Sequence, residues 1–179
     1  MKRNLLLTVA AVAMLAGCAN PPSDTSNYTH REAISGPDMD MTLDNLLESS
    51  EDRSYQISLN AVRVRKGPWD ADYYLEVRYE GASDAGFIEI GPGETLVLTV
   101  DGQTMRFRGP GSFENRDRTG RGTFVENAVY DVKADDLRRI AKARDVKVQI
   151  NGSARRLYRE FKPENTQKFR SFVLTYMGY

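Results

Sequence analysis

Four carboxylates in the strand-forming part of the chain are the residues best suited to acid–base chemistry. They are Glu89, Glu94, Glu114 and Glu126. Two such groups in one cleft could protonate a leaving group and activate a water molecule, as in glycoside cleavage. The chain has 25 acidic residues, so pairs of this kind often arise by chance. A carboxylate-dependent hydrolase is therefore one hypothesis among several.

Other catalytic or metal-binding constellations have weaker support. His30 is the single histidine and lies in a polar segment, whereas a Ser-His-Asp arrangement needs a histidine held by a rigid scaffold. Asp38, Asp40 and Asp44 lack the glycine and terminal glutamate of a calcium-binding EF-hand, so we expect solvated acids there. Cys18 is the single cysteine, which excludes an internal disulfide and a cysteine-rich metal site. We therefore predict a protein without a cofactor or metal, and not an enzyme.

The first eighteen residues have the layout of an export signal. Lys2 and Arg3 precede an apolar run from Leu5 to Ala16. A charged front followed by about a dozen apolar residues is typical of a secretory signal, and the run is shorter than the roughly 20 residues of a membrane-spanning helix. It ends in Leu15-Ala16-Gly17-Cys18. This segment resembles the lipobox of bacterial lipoproteins.

The lipobox resemblance implies that residues 1–17 are a cleaved signal peptide and that Cys18 becomes an acylated N-terminus. One acyl chain binds a bilayer only marginally, whereas two or more hold stably. Ala19 stands where an aspartate tends to retain enterobacterial lipoproteins in the inner membrane. By that analogy we expect an outer-membrane lipoprotein of a Gram-negative bacterium, facing the periplasm. Its first partner is the membrane itself, through Cys18.

The rest of the chain divides into a tether and a domain. Residues 18–40 are polar and contain Pro21, Pro22 and Pro37, and we expect a disordered tether. Residues 41–179 are long enough for a single globular domain with a real core. Basic and acidic residues are balanced at 25 each, which gives no electrostatic basis for binding nucleic acid.

Five arginines form the most distinctive group of charges. They could meet phosphate groups, an anionic lipid or an acidic partner. Glu114 and Asp117 lie among them, so a solvated loop of mixed charge is the alternative interpretation. The five are Arg106, Arg108, Arg116, Arg118 and Arg121.

Trp69, the single tryptophan, follows Gly67-Pro68 in a predicted turn. An exposed tryptophan would be a recognition residue. A tryptophan folded back as a lid on the core would be an ordinary packing residue, and we favour the lid.

Hydrophobic alternation indicates about seven or eight strands. The first runs from Tyr55 to Val64 with a phase change that predicts a β-bulge near Asn60–Ala61. Asp101-Gly102 and Asn151-Gly152 are strong hairpin signals. The remaining strands are expected near residues 73–79, 87–90, 96–100, 105–107, 124–132, 146–150 and 157–161.

Three segments carry helical spacing. Leu43, Leu46 and Leu47 predict a short helix or turn, residues 134–144 a second helix, and the segment from Pro163 a third with an apolar face. Residues 109–123 read as a long mobile loop. The predicted fold class is α+β, mainly β: an antiparallel β-sandwich or curved sheet with two helices near the C-terminus.

Function remains open among three classes. The leading one is a non-catalytic binding or assembly module, tethered to the outer membrane and contacting another envelope protein. The second is a carrier of lipid or a small ligand, which needs an apolar cavity. The third is the carboxylate-dependent hydrolase. The order of strands and helices resembles that of uncharacterised envelope lipoproteins, a resemblance that implies no particular activity.

Overall fold

The structure, a computed structural model, describes residues 39–42, 45–47 and 54–178. The predicted signal peptide, Cys18, His30, Asp38 and Asp44 lie outside the described residues. The strands in chain order are β1 (Met39–Met41), β2 (Leu46–Leu47), β3 (Tyr55–Arg65), β4 (Ala71–Gly81), β5 (Gly93–Val100), β6 (Gln103–Gly109), β7 (Arg116–Arg118), β8 (Phe124–Asp131), β9 (Val146–Asn151) and β10 (Arg156–Glu160).

These strands form two antiparallel sheets. The larger has the order β1-β3-β4-β8-β7, with β2 pairing to the same edge of β3 as β1. The smaller has the order β10-β9-β5-β6. The hairpins predicted at Asp101-Gly102 and at Asn151-Gly152 are confirmed, because they join β5 to β6 and β9 to β10. The predicted α+β, mainly β class is confirmed as well.

One continuous core fills the space between the sheets and extends to two helices, α1 (Ala134–Lys142) and α2 (Pro163–Tyr176). Every second residue of the long strands points into it, as Leu59, Leu75 and Leu98 do with no exposed area. Burying each such side chain contributes about 1.5–3 kcal/mol. None of the helices in the described ranges is long and apolar enough to cross a membrane.

Helix α2 begins where the sequence predicted and is fixed at its first turn. Pro163 occupies the first turn, and the backbone N–H of Lys162 donates to Asn165 Oδ1 at 2.8 Å. The Asn165 amide, itself buried, donates to Asn45 Oδ1 at 3.0 Å and to the carbonyl of Leu46 at 2.8 Å. The helix is thereby tied to the β2 edge of the larger sheet.

The predicted β-bulge near Asn60–Ala61 is wrong. Strands β3 and β4 pair without interruption from Tyr55 opposite Gly81 to Arg65 opposite Ala71. The phase change in the sequence has another cause: a small second core lies on the outer face of this sheet. It contains buried Val62 and Val129, and Met39, Met41, Val64 and Tyr74 pack against it.

Four local predictions are corrected by the structure. Leu46–Leu47 form a short strand on the free edge of β3 and not a helix. The expected strand at 87–90 is reduced to a single bridge between Ile90 and Gly152. The loop at 109–123 contains a 3-10 turn, Phe113–Asn115, and strand β7 paired to β8. Strand β1 also begins at Met39, inside the segment assigned to the tether.

Candidate functional site

Two carboxylates of the described residues are almost fully buried, Glu76 and Glu126, and Glu126 has the larger set of hydrogen-bond donors. The alternation of β8 that turns Ala128 and Tyr130 into the core also turns Glu126 inward. Its side chain has no exposed area. A buried charge is tolerated only where hydrogen bonds replace its hydration, and the segment before β5 supplies them.

Three consecutive backbone N–H groups converge on this carboxylate. Ile88 donates to Oε2 at 2.7 Å, Glu89 to Oε2 at 3.0 Å, and Ile90 to Oε1 at 2.6 Å. A run of N–H groups that all face inward cannot be a regular strand, because a strand alternates its donors between two sides. Glu89 accordingly has a positive φ of 62°, which a non-glycine residue rarely adopts. This explains why the predicted strand at 87–90 did not form.

The opposite side of the carboxylate is closed by the loop that follows β6. The buried hydroxyl of Ser112 donates a short hydrogen bond to Glu126 Oε1. Arg116 Nε lies 3.4 Å from the same oxygen and also donates to Ser112 Oγ at 3.1 Å. Glu126 therefore joins two loops, one before β5 and one after β6, to strand β8.

The number of donors defines what Glu126 can do. A carboxylate offers about four acceptor positions, and three N–H groups and one hydroxyl occupy them. No acceptor is left for a substrate proton or a water molecule. We conclude that this carboxylate holds two loops in place, and that residues 109–123 are an ordered surface, contrary to the predicted mobile loop.

We call the Glu126 carboxylate and its donors the Glu126 hub. Beside it, three aromatic rings and two guanidinium groups form a continuous row of contacts. The Arg116 guanidinium lies 6.0 Å from the ring centroids of both Phe87 and Phe113. Phe87 meets Phe124 edge to face at 4.7 Å, and the Arg118 guanidinium lies 5.3 Å above the Phe124 ring. We call these five residues the Phe–Arg ladder. Its most exposed ring is that of Phe113, which is 84% exposed, whereas Phe87 and Phe124 are partly buried.

The five predicted arginines do not all join this ladder. Arg116 and Arg118 belong to it, and Arg121 is exposed in the turn that follows. Arg106 and Arg108 lie on the solvent face of the other sheet, where Arg108 is 4.0 Å from Glu94. The arginines are thus divided between the edge of one sheet and the face of the other.

Trp69 lies at the tip of the β3–β4 hairpin with 99% of its area exposed. Its interpretation as a lid on the core is therefore wrong. The turn that carries it is closed by backbone bonds from Lys66 and Gly67 to the carbonyl of Asp70, at 2.9 and 3.3 Å. The ring projects from a defined turn into solvent.

The remaining carboxylates are dispersed. Glu89 accepts a hydrogen bond from the hydroxyl of Ser153 at 2.7 Å, and Glu114 is exposed in the 3-10 turn. Asp40 pairs with Arg63 at 3.3 Å. Within residues 39–42, 45–47 and 54–178, no group of three histidine, cysteine or acidic side chains is arranged to hold a metal ion.

A groove of about 500 Å³ lies between β1 and the outer side of α2. Its apolar part is formed by Met41, Phe172 and Tyr176, and its polar part includes Glu164 and Lys168. The groove is on the surface of the helix, outside the space between the two sheets.

Sequence reasoning missed the aromatic members of the ladder and Ser112. Phe113 offered one signal, since it is a large apolar residue inside a segment rich in glycine and arginine. Phe87 and Phe124 are distant in sequence, and only the pairing of β8 with β4 and the Glu126 hub bring them together.

The comparisons with known proteins give no further guide. No family model matches this chain, and no curated protein or solved structure matches it.

Proposed function

We propose that this chain is an outer-membrane lipoprotein whose periplasmic domain is a non-catalytic binding or assembly module for another envelope protein. The anchor is Cys18, on the strength of the charged front, the apolar run and Leu15-Ala16-Gly17-Cys18. The observation that supports a binding role is the Phe–Arg ladder, with Phe113 exposed at its end.

The ladder has the composition of an interaction hot spot. Aromatic residues and arginine are enriched at such positions, and rigid side chains lose little entropy on binding. Ser112 and Glu126 fix the backbone beneath Phe113, so the ring is presented from an ordered loop. The partner that fits is a protein offering an apolar socket for the ring and carboxylates for Arg118 and Arg121.

The anchor is tested by Cys18→Ser. The natural precursor is expected to incorporate fatty-acid label and to fractionate with membranes, and the variant to lose both. A mature protein that begins at another residue, or carries no fatty acid on Cys18, would remove the basis for the proposed location.

The binding role is tested by a photo-crosslinking residue placed at Phe113 in the native envelope. The matched control is the same residue at Tyr158, which is 59% exposed on the solvent face of the smaller sheet. We expect a discrete protein adduct from position 113 and not from position 158. If co-purified lipid is recovered and position 113 gives no protein adduct, the carrier hypothesis replaces the binding module.

A further inference from the structure

The β3–β4 hairpin extends beyond the strands on either side of it. Arg65 pairs only with Ala71, while β1 ends its pairing at Val64 and β8 ends its pairing at Tyr74. Residues 66–70 therefore extend along the strand direction beyond the ends of the neighbouring strands. At about 3.3 Å of rise per residue, the tip extends roughly 10 Å beyond the level of β1.

The chain enters the domain at this same end. Met39, the first described residue, pairs with Val64, immediately before the hairpin tip. Residues 19–38 connect Met39 to Cys18. If this predicted tether behaves as a flexible chain, its r.m.s. span is about 25 Å. A bilayer that holds Cys18 is then close to the end of the domain that carries Trp69.

The chemistry of the tip suits a membrane interface. Trp69 is an amphipathic ring of the kind enriched at lipid headgroups, and Pro68 lacks an N–H that would otherwise require hydration. The N–H groups of Lys66 and Gly67 are already bonded to the carbonyl of Asp70. Two backbone donors of the tip therefore already have acceptors, which lowers the cost of moving the turn into the headgroup region.

The charges near the tip balance. The two cations Arg65 and Lys66 are matched in number by the two acids Asp70 and Asp72. Lys66 forms an ion pair with Asp72 at 2.6 Å. Contact with lipid therefore depends on the ring and on proximity, and does not require anionic headgroups. One tryptophan binds weakly by itself, but attachment at Cys18 keeps it at a high effective concentration near the surface.

We propose that the tip of the β3–β4 hairpin is a second membrane contact, in which Trp69 enters the headgroup region of the bilayer that holds the acylated Cys18. This rests on the proposed lipid anchor. It also orients the domain. Arg116 of the Phe–Arg ladder pairs with Glu126, which in turn pairs with Tyr79 of β4. Tyr79 lies about 26 Å along β4 from Ala71, at about 3.3 Å per residue. The ladder therefore faces away from the bilayer, where a partner can reach it.

The single tryptophan makes the test direct. The acylated mature protein is reconstituted into phosphatidylcholine vesicles, with brominated phosphatidylcholine as a quencher that reaches only the bilayer. We expect Trp69 emission to shift to shorter wavelength, to be quenched by the brominated lipid and to be protected from acrylamide. Because the tip charges balance, the shift should persist at high salt.

Two controls separate this contact from general adsorption. The Cys18→Ser protein at the same lipid concentration should keep the emission of a water-exposed tryptophan. In the double variant Trp69→Phe with Phe113→Trp, the fluorophore moves to the opposite end of the sheet, and it should remain accessible to acrylamide in the anchored protein.

The outcomes distinguish this inference from the proposed anchor. Protein that is acylated and floats with vesicles, while Trp69 stays accessible to acrylamide, overturns the hairpin contact alone. A mass spectrum without an acyl group overturns the proposed anchor. In that case a maleimide lipid coupled to Cys18, the single cysteine, allows the same quenching measurement to decide on the hairpin.

Discussion

Replacing Glu126 with glutamine tests whether one carboxylate holds the two loops together. The substitution keeps the size of the side chain and removes its charge. A glutamine amide can retain only its oxygen as an acceptor, so whichever way it is oriented its NH₂ group faces two of the four donors. Hydrogen bonds to a charged group contribute about 1.5–3 kcal/mol each.

If the NH₂ group faces Ile88 and Glu89, both of their N–H groups lose the acceptor. If it faces Ile90 and Ser112, the Ser112 hydroxyl accepts from it and donates to the Ile90 carbonyl, and only the Ile90 N–H loses its acceptor. Arg116 adds little, because its side chain is 21% exposed and water can solvate its charge. We expect Glu126→Gln to lower the free energy of unfolding by about 3–5 kcal/mol, because the bonds to this charged acceptor are weakened or lost together. The corresponding fall in melting temperature is about 10–15 °C for a domain of this size.

A graded series strengthens the test. Ser112→Ala removes one of the four donors and should cost about 1–2 kcal/mol. Glu94→Gln, on a half-exposed side chain with a long ion pair to Arg108, is the matched control and should change stability by less than about 0.5 kcal/mol. Glu126→Gln and Glu94→Gln remove the same charge in two different environments, and Ser112→Ala removes one donor to the buried charge.

The assay is urea unfolding followed by far-UV circular dichroism. Fluorescence is unsuitable, because Trp69 is already 99% exposed in the folded protein. The urea concentration at which half the protein is unfolded should fall, while the slope of the unfolding free energy against urea concentration stays unchanged. A Glu126→Gln protein within about 1 kcal/mol of the parent would refute the argument that this carboxylate orders the loops.

Two further predictions concern the interior. Burial raises the pKa of Tyr130 to about 12, so the folded state keeps its proton where an unfolded tyrosine loses it, and this stability is lost as the pH rises through about 10 to 12. Tyr130→Phe should lower the free energy of unfolding by about 1 kcal/mol at pH 7, because the hydrogen bond to Thr95 is lost. Measured by urea unfolding between about pH 9 and 12, the stability of the variant should fall less steeply with pH than that of the parent. Equal slopes for the two proteins would contradict the raised pKa. A Cβ at Gly152 would overlap the carbonyl oxygen of Ile88, so Gly152→Ala should lower the free energy of unfolding by about 1–3 kcal/mol. Gly120→Ala is the control, because a Cβ there meets nothing within 4 Å. Equal melting temperatures for the two variants would disprove the predicted clash.

Much of the fold could be predicted from the chain alone. Alternation at 73–79 and 146–150 located β4 and β9, turn dipeptides located two hairpins, and Pro163 located the start of α2. These signals are local: a side chain's direction in a strand or helix follows from its spacing, and a turn follows from residues that tolerate its backbone angles.

The site could not be predicted in the same way. In the sequence, Glu126 could not be distinguished from the other three candidate carboxylates. No residue near it in sequence indicates that the backbone N–H groups of residues 88–90 donate to it. Likewise, a second core on the outer face of β3 imitated the pattern of a bulge at Asn60–Ala61, because either one buries residues on both faces of a strand.

The sequence by itself determined the periodicity, the turns and the lipobox-like segment ending at Cys18, since each depends on neighbouring residues. Only the tertiary structure decided that Glu126 is a buried hub, that Phe113 is presented on an ordered loop, and that Trp69 projects at the end where the chain enters the domain. The physical reason is that hydrogen bonds and exposure depend on which distant segments pack together, and sheet pairing sets that arrangement.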